Sequence, residues 1–287
     1  MQETEGWSID ADLSFAPLAE LGWHCEWIAW RTPDVDWDSW DAVYIAATWD
    51  YPEDPSAFLE VLESVDRSSA ILVNDLELVR WNIPKTYLRD LERRGAAIVP
   101  SRWYRRMDDC DLGAEFDAFG AEKIVVKPVV GANAQDTFLL EAPVAAGTKA
   151  VLAETFADRP FIVQPFVGTI RTDGEYSLFY IGGAYSHAIR KVPKSNDFRV
   201  QEEHGADIRP STPGPVLRET ADRVVALIEP APLYARCDFV RDSEGGFRVM
   251  ELELVEPSLY LRMDADAPAR FATAFDRHVE ARRGAGS

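Results

Sequence analysis

Three carboxylates near the C-terminus, Asp238, Glu251 and Glu253, have residue types and a spacing that could do chemistry. Glu251 and Glu253 are two apart in the run 250–254, and residues two apart on a strand share a face. The acidic, glycine-rich stretch 242–246 reads as the turn of a hairpin joining 234–241 to 247–254, which sets Asp238 roughly opposite the two glutamates. Three carboxylates converging inside an apolar hairpin repel one another and carry a large desolvation cost unless cations neutralise them. Hard oxygen donors favour magnesium or manganese over zinc. A solvated hairpin face is the alternative, but Ala235, Cys237, Phe239, Met250, Leu252 and Leu254 leave neither face generally polar.

The basic residues point the same way. Lys127 ends the apolar run KIVVK just before Pro128 and a loop containing Gly131, where an ammonium can reach phosphates held beneath the loop. Lys85 follows Ile83-Pro84 at the start of a predicted helix. The stretch 187–199 adds Arg190, Lys191, Lys194 and Arg199. With 49 acidic residues against 30 basic ones, the formal charge is -19. A surface this acidic repels nucleic-acid backbones and anionic membranes, so neither is an expected partner. A nucleotide would need a local basic lining, and the clustering near the acidic hairpin supplies one. Cys25, Cys110 and Cys237 are scattered, the four histidines form no zinc motif, and no signal peptide or spanning apolar run is visible. The expected location is a reducing cytoplasm.

Those side chains need elements to hold them. All nine tryptophans fall within the first 103 residues, which marks an N-terminal αβ unit, 1–105. It reads as a helix over 11–21 closed by Gly22, a strand over 24–30, a strand over 41–46, and a helix from Pro55 to about residue 65. A strand over 70–73, a helix over 84–94 ended by Gly95 and a strand over 96–99 complete it, an alternation that suits a parallel sheet. The chain opens on a polar stretch and a helix rather than a strand; either the first strand is absent or residues 3–10 form a non-helical arm. Beyond residue 105 the pattern is α+β. A hairpin over 123–127 and 136–140, a helix over 147–156 and a strand over 161–164 make a small unit, 106–165. A larger unit, 166–287, holds the hairpin 175–181/184–191 about Gly182-Gly183, a helix over 215–228, the acidic hairpin and a closing amphipathic helix over 268–282.

From about Asp41 to Leu261, and more weakly before that, the chain resembles the ATP-grasp superfamily, within it the glutathione-synthetase-like and RimK-like branch that includes the cyclo-ligase of cycloserine biosynthesis. The stretches are TWDYPEDP at 48–55, LVRWNIPKTYLRDL at 78–91, IVVKP at 124–128, DGEYSLFYIGGAYSHAIRKVPKSNDFRVQEEHGA at 173–206, and YARCDFV through MELELVEPSLYL at 234–261. The resemblance implies nucleotide held between two α+β subdomains. It implies Lys85 and Lys127 on ATP phosphates, Gln164, Pro165, Phe166 and Val167 as the adenine hinge, and Arg199 on the transferred phosphoryl group. Asp238, Glu251 and Glu253 match the metal set, for magnesium or manganese. Lys127 and Arg199 are thus the expected catalytic residues. Trp49 and Asp50, with Glu175 and Arg190, are the candidate substrate residues; Trp49 and Asp50 serve equally well as a packed aromatic and a residue starting a helix.

What the resemblance implies chemically is an ATP-dependent carboxylate–amine or intramolecular ligase acting through an acyl phosphate on an amino-acid-like or peptide substrate, with a homo-oligomer as a further expectation. The competing class is a non-catalytic ATP-binding or structural protein that keeps the fold. Five departures bear on the substrate and the start of the chain. Glu253 stands where the superfamily commonly has Asn, and the loop GANAQDT has one glycine where glutathione synthetases have several. Ser177 replaces an Arg of glutathione synthetase, and Ala46-Ala47 replaces an Arg-Ser before TWDY. The family's opening strand is not apparent in the sequence, which a misplaced start at Met1 would explain.

Overall fold

The computed structural model describes residues 1, 7–195 and 197–285. In the N-terminal part a short 3-10 turn (Ala11–Ser14) runs into helix α1 (Phe15–Glu20), and Gly22 at φ +93° closes it. Residues 7–10 carry no regular structure, as an arm would; 3–6 lie outside the described residues. The strand expected over 24–30 joins no sheet among the described residues. Side chains fix this segment instead: the Trp30 indole donates to Asp50 at 2.8 Å and its ring packs edge-on against Phe58.

Strands β1 (Ala42–Tyr44) and β2 (Ile71–Val73) pair in parallel, linked by helix α2 (Pro55–Arg67). That helix starts where Asp54 accepts from the Ala57 amide, with Pro55 in the first turn, and it buries Phe58, Leu62 and Val65 along one stripe. Among the described residues the N-terminal sheet is therefore two-stranded. Helix α3 (Leu76–Asn82), capped by Asp75, has no counterpart in the sequence reading, and α4 (Tyr87–Arg93) follows it. Residues 96–99 make only a bridge from Ile98 to Val249.

A four-stranded antiparallel sheet forms the small unit, in the order β3 (Arg102–Tyr104), β6 (Phe161–Pro165), β4 (Lys123–Pro128), β5 (Phe138–Glu141). Helices α5 (Leu112–Phe119) and α6 (Ala146–Thr155) cover it, sharing a core with Phe116, Ile124, Leu152 and Phe161. Strand β3 lies before the boundary expected at 105, yet it is the edge strand of this sheet.

The large sheet is antiparallel, in the order β11 (Phe247–Glu253), β10 (Tyr234–Arg241), β7 (Glu175–Ile181), β8 (Ala184–Val192), β9 (Asp207–Pro210). One face packs on α4 and α7 (Pro215–Val225) through Tyr87, Leu88, Leu217 and Val224. The other meets α8 (Ala267–Ala285) and the N-terminal unit through Phe179, Ile189, Tyr234 and Phe271. Two buried asparagines lock the units together. Asn74 donates to the carbonyls of Tyr234 and Leu254, and Asn82 bonds Leu252 and Leu254. Each leaves few buried backbone groups unmet where the sheets abut.

Candidate active site

A cleft runs between the small sheet and the large one, and its floor is the end of the large sheet that α8 does not cover. Strand alternation delivers the floor residues, with Ser177 buried beneath them: Glu175 from β7, Lys191 from β8, Arg236 and Asp238 from β10, Glu251 and Glu253 from β11. The register pairs Asp238 with Glu251 and Arg236 with Glu253, and a bulge follows at once, so Phe239 faces Val249 and Met250 is skipped. The bulge lets both glutamates share a face with Asp238 while the hydrophobic side of the hairpin stays in the core.

The carboxylates come together, but not as three bare groups. Asp238 is buried and accepts from the Ser177 hydroxyl at 2.5 Å and from Arg236 Nε at 3.2 and 3.1 Å, with Lys191 Nζ at 3.6 Å. Burial works to raise its pKa, and the Arg236 and Lys191 charges outweigh it, holding the carboxyl below its ordinary value. Glu251 lies 2.8 Å from Lys85 Nζ; burial again opposes ionisation, and Lys85 with Lys127 brings the value below normal. Glu253 pairs with Arg236, yet burial and the neighbouring Asp238 and Glu251 push it up to about 7. Burial and Glu253 raise Glu256 well above the carboxylate range. Among the described residues no trio of His, Cys, Asp or Glu forms a ready-made metal cage. Protein cations stand between the carboxylates.

Of the lysines, Lys85 also donates to the Gly131 carbonyl at 2.7 Å, and its own amide donates to the Val129 carbonyl at 2.8 Å. This ties the loop after β4 to the start of α4. Lys127 is buried in the cleft wall, and burial lowers its pKa against the pull of Glu251. The loop itself is glycine-poor, and Asn133, Ala134 and Asp136 take left-handed backbone in its place. Its one glycine is fixed by contact, since a Cβ on Gly131 would come within 2.8 Å of Pro128. Arg159 braces the loop through Asp136 at 2.5 Å and the Val130 carbonyl at 3.1 Å.

Residues 164–167 line the cleft, with the Gln164 amide bonded to Ser101 Oγ at 2.8 Å. Arg199 lines it from the segment between β8 and β9, paired to Asp197 at 2.8 Å. Trp49 lines it as well, its indole donating to the Glu256 carbonyl at 3.0 Å. Glu175 is present but buried in an ion pair with Lys191 at 2.7 Å.

Two sequence candidates fall elsewhere. Asp50 turns to Trp30, Arg31 and the Met1 ammonium rather than to the cleft. Arg190 points out of the opposite face of the sheet, because its neighbour Lys191 takes the inward position. Arg236 is the residue the sequence reading missed. The signal was there, since it lies two residues before Asp238 on an apolar strand and therefore shares its face.

Glu251 and Glu253 keep a quarter of their side-chain surface facing the cleft, as hard oxygen donors, and the raised pKa of Glu253 marks negative charge that the surrounding cations do not fully balance. That donor set fits magnesium.

Comparison with known proteins agrees with this arrangement. Residues 1–74 match the family described as the D-cycloserine synthetase DcsG N-terminal domain. The cycloserine biosynthesis protein DcsG of Streptomyces lavendulae is 30% identical over 297 residues, covering 96% of this chain and 97% of that one. The crystal structure of D-cycloserine synthetase DcsG superposes with a TM-score of 0.82 at 28% identity, over 93% of each chain. More distant folds of the same kind include the ATP-grasp ligase PsnB complexed with minimal precursor, Mg and ADP, with a TM-score of 0.64 at 16% identity over 94% of each chain. D-alanine–D-alanine ligase from Bacillus anthracis complexed with ATP gives 0.63 at 17% identity, over 86% of this chain and 81% of that one. An N-terminal αβ unit followed by two antiparallel sheets enclosing a lysine- and carboxylate-lined cleft is thus an ATP-grasp fold, and the chain belongs to the DcsG family of ATP-dependent ligases.

Proposed function

We propose that the cleft joins a carboxylate to an amine of a small amino-acid-like or peptide substrate, in the same molecule or a second one, at the expense of ATP. The observation that carries this reading is the floor itself: Lys85, Lys127, Lys191 and Arg236 interleaved with Asp238, Glu251 and Glu253. Nothing about folding alone calls for so many buried charges, each costly to desolvate.

In this reading Lys85 and Lys127 neutralise nucleotide phosphates, and the 164–167 backbone edge receives the base. Glu251 and Glu253 hold magnesium, or manganese in its stead; Asp238 joins them where Arg236 gives up its contacts. Magnesium held by these residues would supply positive charge to the phosphates during transfer of the terminal phosphoryl group. A substrate carboxylate oxygen attacks the γ-phosphorus while the bond to the β,γ-bridging oxygen breaks, giving ADP and an acyl phosphate. The amine nitrogen then attacks the acyl carbon, inorganic phosphate leaves with the bonding pair, and the nitrogen sheds a proton. Arg199 and Arg236 are placed to meet charge on the phosphoryl and acyl oxygens, so positioning and electrostatics replace a protein nucleophile. The small unit excludes water above the acyl phosphate, and Trp49 walls the acceptor side. No helix among the described residues is long and apolar enough to cross a membrane, and the three cysteines are free, which supports a reducing cytoplasm.

The test is calorimetry with magnesium–ATP, followed by phosphate release over a panel of amino-acid-like substrates. Glu251→Gln should keep the fold and weaken magnesium-dependent nucleotide binding. A substrate labelled with heavy oxygen in its carboxylate should pass that label to the released phosphate. Unaltered magnesium–ATP affinity in the variant, or phosphate free of label, overturns the assignment.

A further inference from the structure

Arg190 is a basic candidate that the cleft does not use, and on the far face of the large sheet it has unusual company. It sits directly across from Arg209 on β9. Like charges directly opposite on neighbouring strands are destabilising, and this pairing occurs in a chain with 49 acidic side chains to draw on. Arg241, at the end of β10, lines the same pocket.

Two of the three arginines are partly met. Arg209 pairs with Asp207 at 2.9 Å, and Arg241 approaches Asp173 at 3.2 Å, although its buried Nε has no aligned hydrogen-bond acceptor. The Arg190 side chain has neither hydrogen bond nor ion pair among the described residues. The pocket closes on the first turn of α7. Its N-cap is Gly214, no side chain caps it, and Pro215 brings no amide hydrogen, so the next amides of the turn lack a side-chain acceptor. Tyr176, Phe247 and Leu217 supply an apolar wall.

We propose that this pocket is a second binding site, for a small oxyanion bearing phosphate or carboxylate, held between Arg190, Arg209 and the first turn of α7. The anion relieves the repulsion across β8 and β9, which Asp207 meets only on the Arg209 side, and satisfies the helix start, which no side chain caps. The site stands on the opposite face of the sheet from the cleft and does not depend on the ligase reading.

The probes are inorganic phosphate and citrate, each titrated against chloride at matched ionic strength, with the thermal unfolding midpoint as readout. In the parent the midpoint rises with phosphate, with citrate or with both, and saturates; which of them acts identifies the anion class. Arg190→Gln is no less stable than the parent in chloride, because a like-charge contact is gone, and its response needs roughly tenfold more anion or more. Arg209→Gln behaves in the same way, and Lys127→Ala, altered only in the cleft, keeps the parent response. The proposal falls if neither anion raises the parent midpoint, if Arg190→Gln responds as the parent does, if it is less stable than the parent in chloride, or if Lys127→Ala loses the response.

Discussion

Replacing Glu253 with glutamine should make the free protein more stable at neutral pH while removing part of its function. Glu253 touches Arg236, so ordinary ion-pair reasoning expects the variant to be weaker. Its pKa says otherwise: burial first, then Asp238 and Glu251, raise it from 4.5 to about 7 despite Arg236. That rise is worth ~3 kcal/mol against the charged form. Because 27% of the side chain stays exposed, solvent screening reduces this to about 1–3 kcal/mol. The sign follows from linkage. A group whose folded pKa lies above its unfolded one contributes stability below the unfolded value and loses it as pH rises through the folded value. The parent should therefore lose stability between pH 4.5 and about 7 on account of this group, and Glu253→Gln should not. Urea unfolding at pH 4.5 and pH 8, without metal or nucleotide, should give matching stabilities at the lower pH. At pH 8 the variant should lead by about 1–3 kcal/mol, or ~2–10 °C in melting temperature. Magnesium–ATP should then stabilise the variant less than the parent. A variant less stable than the parent at pH 8 would refute the claim that Glu253 holds uncompensated charge.

Arg199→Ala should fold normally and keep most nucleotide affinity, because its only ion pair among the described residues is local, with Asp197 two positions away, yet turnover should fall by roughly 100-fold or more; a coupled ADP-release assay at the parent rate would exclude Arg199 from the chemistry. Lys127→Ala should weaken ATP binding as well as turnover, its contact being made before the reaction, and nucleotide titration checks that. Lys191→Met should be the most damaging to the fold. It strands Glu175 and leaves Asp238 with Arg236 as its one neighbouring cation among the described residues, a buried-charge loss of about 3–5 kcal/mol, and denaturant unfolding at pH 8 reads it directly.

The parts legible in the sequence were those set by local periodicity. The strands 175–181 and 234–241 appear with the same bounds as expected, because Gly182-Gly183 and the 242–246 turn fix each register and the apolar alternation leaves one solution. The opposition of Asp238 and Glu251 followed from that register. What local pattern could not supply was context. Residues 24–30 alternate like a strand, yet Trp30 buries its ring against Phe58 and the segment is held by side chains. The short helix α3 hides in 76–82, where one turn of apolar pattern is too brief to separate from a loop, and its docking depends on Asn82 meeting β11. Arg190 shows a third limit. A basic cluster in sequence says nothing about which sheet face each member takes until the strand is in register, and one position decides between Arg190 and Lys191.

The buried charges of the floor also explain how an ATP site can exist before ATP arrives. Carboxylates stripped of water and left alone would protonate or unfold the hairpin. Here Lys85 answers Glu251, Arg236 answers Asp238 and Glu253, and Lys191 answers Glu175 and Asp238. The desolvation cost is met during folding by groups that, in the proposed reading, a magnesium–nucleotide would then engage from both sides, phosphates at the lysines and metal at the glutamates. Compensation is incomplete at Glu253 and Glu256, whose pKa values stay high. In the proposed reading an incoming divalent cation gains most there, because it displaces protons from carboxylates whose charge is not fully balanced, Glu253 despite its contact with Arg236. Asp238, with both oxygens bonded and its pKa depressed, is the carboxylate with least to gain. It follows that magnesium binding near neutral pH should release protons, which calorimetry in buffers of different ionisation enthalpy detects, and Glu253→Gln should reduce the number released. Proton release identical in parent and variant would place the metal away from Glu253.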